Sequence, residues 1–143
     1  MTIAKIIGER RSSEVISCDV TTLVSQVIAM LAGKRIGAMP VLGGGQVVGI
    51  VSERDIIYRL AGGDAACLDG PVQAIMTAPA VTVEPTTKID DALALMTKRR
   101  FRHFPVVEGD ALVGFVSIGD LVKDKIDAAE HEAASLRDYI QTA

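Results

Sequence analysis

Apolar residues follow two different periods along this chain, and the order of those periods occurs twice. Ile3, Ile6 and Ile7 stand at helical spacing and the lead closes at Gly8. After the polar connector GERRSSE, the alternation of Val15–Val20 (VISCDV) predicts a strand. Leu23, Val24, Val27, Ile28 and Leu31 then fall on one helical stripe. Two β-branched runs, IGAMPVL and QVVGIVS, flank Gly43-Gly44-Gly45, the pattern of a hairpin, and the helical period returns after Ser52. The second round reads the same way. AVTVE stops at Pro85, and Ile89, Ala92, Leu93 and Met96 form a stripe. FRHFPVV and ALVGFVS flank Glu108-Gly109-Asp110, and a helix is expected from Ser117. Each unit is therefore strand, helix, strand, strand, helix.

Laid over one another, the copies match without a gap from Val15/Ala80 to Ile57/Val122, a shift of 65 residues. Thr22/Thr87, Arg35/Arg100, Pro40/Pro105, Gly49/Gly114, Ser52/Ser117 and Asp55/Asp120 are identical across it. A repeat of this kind determines the architecture. The expected organisation is α+β, with a first repeat and its lead over 1–61, a linker rich in turn formers over 62–71, a second repeat over 72–125, and a C-terminal helix over 126–143. VQAIMT is expected to lead into the second copy as IAKIIG leads into the first. Thr22 and Thr87 stand where an N-cap belongs. The basic clusters Lys34-Arg35 and Lys98-Arg99-Arg100 suit the negative ends of the two helices. Beyond Asp120, Val122, Ile126, Ala129, Ala133, Leu136 and Ile140 alternate by four and three, a coiled-coil-like seam of about two and a half heptads. Such a seam is too short to hold two chains alone. It suits packing on the body of the chain or assistance to a dimer built elsewhere.

Composition narrows the function. Of 143 residues 49% are apolar but only 3% aromatic, so Val, Ile, Leu, Ala and Met must build the core. A net charge of −3 lacks the basic excess of a general nucleic-acid binder. Cys18 and Cys67 are too few for a disulfide framework and have no metal-ligand spacing, leaving at most a redox role for either. No stretch has the form of a signal peptide or of the roughly 20 apolar residues of a membrane span. A soluble protein of the reduced cytoplasm is expected, without a membrane or nucleic-acid partner.

The candidate chemistry lies at the repeated Gly-x-x-Ser-x-x-Asp. One reading is structural: Ser and Asp three residues apart make a capping box. The other uses the same geometry. A helix N-terminus favours a phosphate, a Ser hydroxyl adds a donor, and an Asp one turn on can accept from the hydroxyls of a ribose. The two readings are compatible. Arg102 and His103 follow the basic cluster and can face a phosphate chain, although strand alternation puts only one of the two on the face opposite Phe104. Neither His103 nor His131 has the partners of a catalytic triad or a metal set. Gly43-Gly44-Gly45 precedes a strand, whereas a dinucleotide-binding loop must open a helix. No catalytic residue and no metal ligand is identified.

The order and duplication of these motifs, with IMT at 75–77, RIGAMPV, RHFPVV, SERD and SIGD, resemble tandem cystathionine-β-synthase (CBS) domains. The small stand-alone bacterial pairs are particularly similar. The resemblance covers about Lys5 to Lys125. It implies two repeats packed about a pseudo-twofold axis, two clefts between them, and pairing into a homodimer. It implies a non-catalytic regulatory module, with no required cofactor, that binds AMP, ADP, ATP, NAD(H) or S-adenosylmethionine and signals to a protein effector in trans. Carried over by position, Asp55 and Asp120 would hold ribose hydroxyls, and Ser52 and Ser117 would contact phosphate. Main-chain groups at Gly37, Ala38, Met39 and Pro40 and at His103, Phe104 and Pro105 would edge the adenine, with Ser17 and Thr82. Arg54, Arg102 and His103 would neutralise phosphate, and Met76 and Phe104 would cover the base. Arg54 is matched by Gly119, and Gly37-Ala38 by Arg102-His103, so the two sites are expected to differ. The competing readings are a structural dimerisation module with unoccupied clefts, a nucleotide-hydrolysing enzyme, and nucleic-acid binding through the basic stretch at 98–103.

Overall fold

The computed structural model describes residues 1–9 and 15–142; most of the GERRSSE connector lies outside the described residues. The fold is α+β. Helix α1 (Ile3–Gly8) precedes the first repeat, which holds β1 (Cys18–Asp19), α2 (Val24–Lys34), β2 (Ala38–Gly43), β3 (Gln46–Ser52) and α3 (Glu53–Ala61). Two 3-10 turns, Ala65–Asp69 and Val72–Ala74, carry the chain across. The second repeat holds α4 (Ile89–Arg99), β4 (His103–Glu108), β5 (Ala111–Ser117) and α5 (Ile118–Thr142).

The hairpins keep the register of the repeat to the residue. Ala38 pairs with Ser52 and His103 with Ser117, and a bulge falls at Val41/Leu42 and again at Val106/Val107. Gly44 and Gly45 both have positive φ, and Gly109 does so in the second hairpin, as tight hairpin turns require. The first strand of each copy is shorter than its alternation predicts. Only Cys18 and Asp19 pair, in parallel, with β2. In the second copy the strand shrinks to one bridge at Val83, whose N–H donates to Pro105 O (3.0 Å) and whose carbonyl accepts from Val107 N (2.9 Å). Pro79 and Pro85 bracket that stretch and cannot donate to a ladder.

The lead segments exchange. Ile3 and Ile6 of α1 belong to the core of the second repeat, with Val83, Ile89, Met96, Phe104, Val116 and Leu121. Val72 and Ile75 belong to the core of the first, with Val24, Val27, Met39, Val41 and Val51. The backbone bonds are equivalent: Ile3 N donates to Thr87 O (2.9 Å), and Val72 N to Thr22 O (2.7 Å). Each lead therefore closes the opposite repeat from the one its place in the chain suggests.

This exchange also explains why the threonine caps do not form. The first N–H of α2, on Val24, donates to Gly70 O (3.0 Å), and the first N–H of α4, on Ile89, to Met1 O (3.2 Å). The exchanged leads satisfy helix donors that a threonine would otherwise serve. Thr22 and Thr87 instead accept from Asp19 N (3.1 Å) and Glu84 N (3.2 Å), closing the turns before the helices. Both helices end on arginine in the left-handed region, Arg35 at φ 53° and Arg100 at φ 59°, where glycine is usual.

α5 meets the body through Leu121 and Asp124. Asp124 Oδ1 pairs with Lys5 Nζ of α1 at 3.2 Å, and its Oδ2 is buried without a hydrogen-bond partner among the described residues. The seam residues Val122, Ile126, Leu136 and Ile140 are exposed. The seam therefore does not pack on the body of this chain, because the neighbouring face that carries Leu121 and Asp124 is the one that does.

Two stability outcomes follow. Although Ile3 is almost at the terminus, Ile3→Ala should cost about 2–5 kcal/mol in denaturant unfolding, as a core truncation does. An unchanged midpoint would show that α1 is not part of the core. A β-carbon at Gly49 would lie 2.8 Å from Thr77 O, a backbone atom bonded to Ile50, whereas at Gly114 it would meet the side chain of Ile7 at 2.9 Å. Gly49→Ala should therefore destabilise by about 1–3 kcal/mol, and Gly114→Ala by less, as read from melting temperatures.

Candidate functional site

Ser52 and Ser117 end the second strand of their hairpins and begin a helix, so the strand direction aims both helix N-termini at the space between the repeats. At α3 the capping box is complete. Asp55 N donates to Ser52 Oγ (3.3 Å), while Asp55 Oδ2 accepts from Ser52 N (2.8 Å) and Ser52 Oγ (3.1 Å). Asp55 Oδ1 accepts from Thr77 Oγ1 at 3.2 Å. At α5, Asp120 Oδ2 accepts from Ser117 N (2.8 Å), and Asp120 N donates to Ser117 Oγ (3.2 Å). The structural reading of the motif is thus realised at both places. A carboxylate has about four lone-pair sites, so the cap and Thr77 together leave acceptor capacity on Asp55.

Each motif faces a cleft built across the repeats. The first cleft, about 590 Å³, places Ser52, Arg54 and Asp55 opposite Ala80 and Val81, with Arg102 and His103 from the second repeat. The second, about 460 Å³, places Ser117 and Asp120 opposite Val15 and Ile16, with Gly37 and Ala38 from the first repeat. The positions are equivalent in the repeat register, and the side chains are not. Gly37, His103 and Ser117 line both clefts and form the wall between them.

The expected residues divide accordingly. Ser52, Arg54, Asp55 and Arg102 meet in the first cleft, Ala38 and Asp120 in the second, and Gly37, His103 and Ser117 belong to both. Arg102 and His103 both reach the first cleft because Arg102 precedes β4, where strand alternation does not apply. Phe104 does not cover a base. It is fully buried in the second core, because His103 faces the clefts and alternation turns its neighbour inward. Met39, its counterpart next to Ala38, is likewise fully buried, and Pro40 and Pro105 are buried behind them. Ser17 and Thr82 line neither cleft; Ile16 and Val81 do. Met76 packs on the first core and sets the close approach at Gly49.

Sequence reasoning missed Arg100 and Thr77 in the first cleft, and Ile7, Ile36 and Phe115 in the second. Ile7 arrives on the exchanged α1, so nothing local to the second repeat announces it. Arg100 stood within the basic cluster, and its identity with Arg35 hid the fact that only one of the two faces a cleft. Arg35 lines a groove between α2 and α3.

His103 stacks on Phe115 with ring centroids 5.4 Å apart and planes 12° apart. Burial holds its imidazolium form down, so its pKa lies below the ordinary value; Asp120 and Glu53 oppose the shift and Arg102 adds to it. Cys18 is buried beside Pro40 O, and burial, with Asp19, pushes its thiol up to about 11, which leaves it unreactive at neutral pH. Among the described residues no group of three His, Cys, Asp or Glu side chains is arranged to hold a metal ion. Among the described residues no helix is long and apolar enough to cross a membrane.

Comparison with known proteins agrees with this geometry. The family model for the CBS domain matches residues 7–62 and again 72–126. The CBS domain-containing mitochondrial protein CBSX3 of Arabidopsis thaliana is 30% identical over 97% of this chain and 70% of its own. The structure of a protein with CBS domains from Burkholderia ambifaria is 36% identical, with a TM-score of 0.80 over 89% of this chain and 95% of that one. A CBS domain protein from Pyrobaculum aerophilum, solved in complex with AMP, is 29% identical, with a TM-score of 0.71 over 84% of this chain and 89% of that one.

The His103 shift has a sign that can be read. Its folded pKa is lowered, so the unfolded chain binds the proton more readily and this group withdraws stability as pH falls through the ordinary histidine value. His103→Phe keeps an aromatic ring on Phe115 and removes the titration. Between about pH 7.5 and 5.5 the wild type should lose more urea stability than this variant. Equal losses would mean that His103 is not buried as a neutral ring.

Proposed function

The chain belongs to the CBS domain family, with two domains in tandem, and on that premise we propose that it is a non-catalytic regulatory module for adenosine-containing ligands. AMP, ADP, ATP or NAD(H) binds in the clefts between the repeats, and occupancy is passed to a partner protein. The observation that carries this reading is the cross-repeat construction of both clefts. Each takes its Ser-x-x-Asp helix N-terminus from one repeat and its facing wall from the other. A ligand held that way touches both halves, so it has different affinities for different arrangements of them, which is the condition for shifting a population. The N-terminus and Ser hydroxyl serve a phosphate, Asp55 or Asp120 the ribose, and the backbone around Gly37 and His103 the base. The relative from Pyrobaculum aerophilum solved with AMP supports this ligand class.

Pairing into a homodimer belongs to the same reading. Ile57 of α3 and Val122 of α5, at 57% and 41% exposure, offer apolar surface at equivalent places of the two repeats, and Ile126, at 52%, extends it along α5. Dimerisation alone, with unoccupied clefts, would use that surface but leaves the polar construction of the clefts without a purpose.

Calorimetric titration of AMP, ATP and NADH tests the proposal. At least one should bind. Asp55→Ala with Asp120→Ala should weaken binding roughly tenfold or more, since hydrogen bonds to a charged group contribute about 1.5–3 kcal/mol. Because both aspartates also cap helices, the melting temperature of the variant is measured alongside. Binding that survives unchanged in a folded double variant would remove the ribose role.

A further inference from the structure

Resting on the adenosine-ligand reading above, we infer that the first cleft is a polyphosphate site, selective for an adenosine carrying two or more phosphates, and that Arg100 is a specificity residue for it. Three arginines line this cleft from three separate places: Arg54 in the first turn of α3, Arg100 at the end of α4, and Arg102 before β4. Among the described residues none of the three forms an ion pair, whereas Arg59 and Lys125 outside the cleft are paired with Asp64 and Asp90. Two carboxylates share the cleft, Glu53 and Asp55, and Asp55 is engaged by its cap and by Thr77.

A single phosphate at the Ser52 end would meet Arg54 and leave cations on the far side without a counter-charge. Arg100 and Arg102 come from the opposite repeat, so only an anion that extends across the cleft meets all three. Guanidinium forks match phosphate oxygens two at a time, which makes arginine suited to such a chain. The start of α5 faces the same volume through Ile118 and Gly119, so a second helix N-terminus adds to the positive field. The second cleft is built otherwise. Among its described lining residues Asp120 and His103 are the only ionisable ones, and the remainder are largely apolar.

The conformation of Arg100 makes a clean test possible. It occupies the left-handed region that glycine adopts without strain, and Arg35 does the same away from both clefts. Arg100→Gly and Arg35→Gly are therefore matched variants that should both keep or raise the melting temperature. The full chain is titrated calorimetrically with ATP, ADP, AMP and adenosine at fixed salt. The wild type should bind ATP roughly tenfold or more tightly than AMP, the effect of one or more added charge-assisted bonds. Arg100→Gly should lose most of that preference with little change for AMP, and Arg35→Gly should retain it. Equal affinities for ATP and AMP, or an ATP preference intact in Arg100→Gly, overturn the inference while the adenosine reading stands. If none of the four compounds binds, the inference falls, and the adenosine reading falls with it when NADH also fails to bind.

Discussion

Neither repeat can complete its own core, and the rest of the structure depends on that constraint. Ile3 and Ile6 reach the second repeat from the start of the chain, and Val72 and Ile75 return to the first from the segment just after the linker. Burying an aliphatic side chain fully is worth about 1.5–3 kcal/mol, so each crossing segment contributes on the scale of a small domain's net stability. The same segments supply Gly70 O and Met1 O to the first N–H groups of α2 and α4. Hydrophobic closure and helix capping are thus performed by one exchange, and the two repeats are held as a single body.

That interdependence places the clefts. With the leads crossed, β3 and β5 lie against each other, and the N-termini of α3 and α5 both point at the space between the repeats. A wall from one repeat then faces the Ser-x-x-Asp of the other. The duplicated backbone produces two clefts of one design, while side-chain divergence makes them unequal. The change from Gly37-Ala38 to Arg102-His103 puts charge into the first cleft, and the stacking of His103 on Phe115 shapes the wall that both clefts share.

The capping box and the proposed ligand site share the Ser52 hydroxyl, whose one proton goes to Asp55 Oδ2 in the cap and would turn to a phosphate, but they do not compete for the aspartate's remaining acceptor sites. Asp55 spends Oδ2 on Ser52 and keeps acceptor capacity on Oδ1, where Thr77 donates. The cap fixes the carboxylate's rotamer, and a fixed rotamer is what a positioned acceptor needs. Arg100 shows the opposite relation, a side chain whose backbone is held where arginine is unfavoured, by the same helix-to-strand turn that holds Arg35.

By itself the sequence determined the repeat, its gapless register, the hairpins, the helices and the position of Ser52, Asp55, Ser117 and Asp120 at helix starts. All of these follow from local period and turn chemistry, which depend on neighbours a few residues apart. It could also show that Arg54 and Gly119 would make the copies unequal. Only the tertiary structure decided that the leads exchange, because an apolar lead such as IAKIIG records that it must be buried and not by which partner. For the same reason Thr22 and Thr87 read as caps until carbonyls from distant segments displaced them. The burial of Phe104, the cleft position of Arg100 as against Arg35, and the arrival of Ile7 in the second cleft depend on which faces the packing turned inward. Side-chain identity carries no record of that choice, since it is made by long-range contacts between halves that are nearly the same.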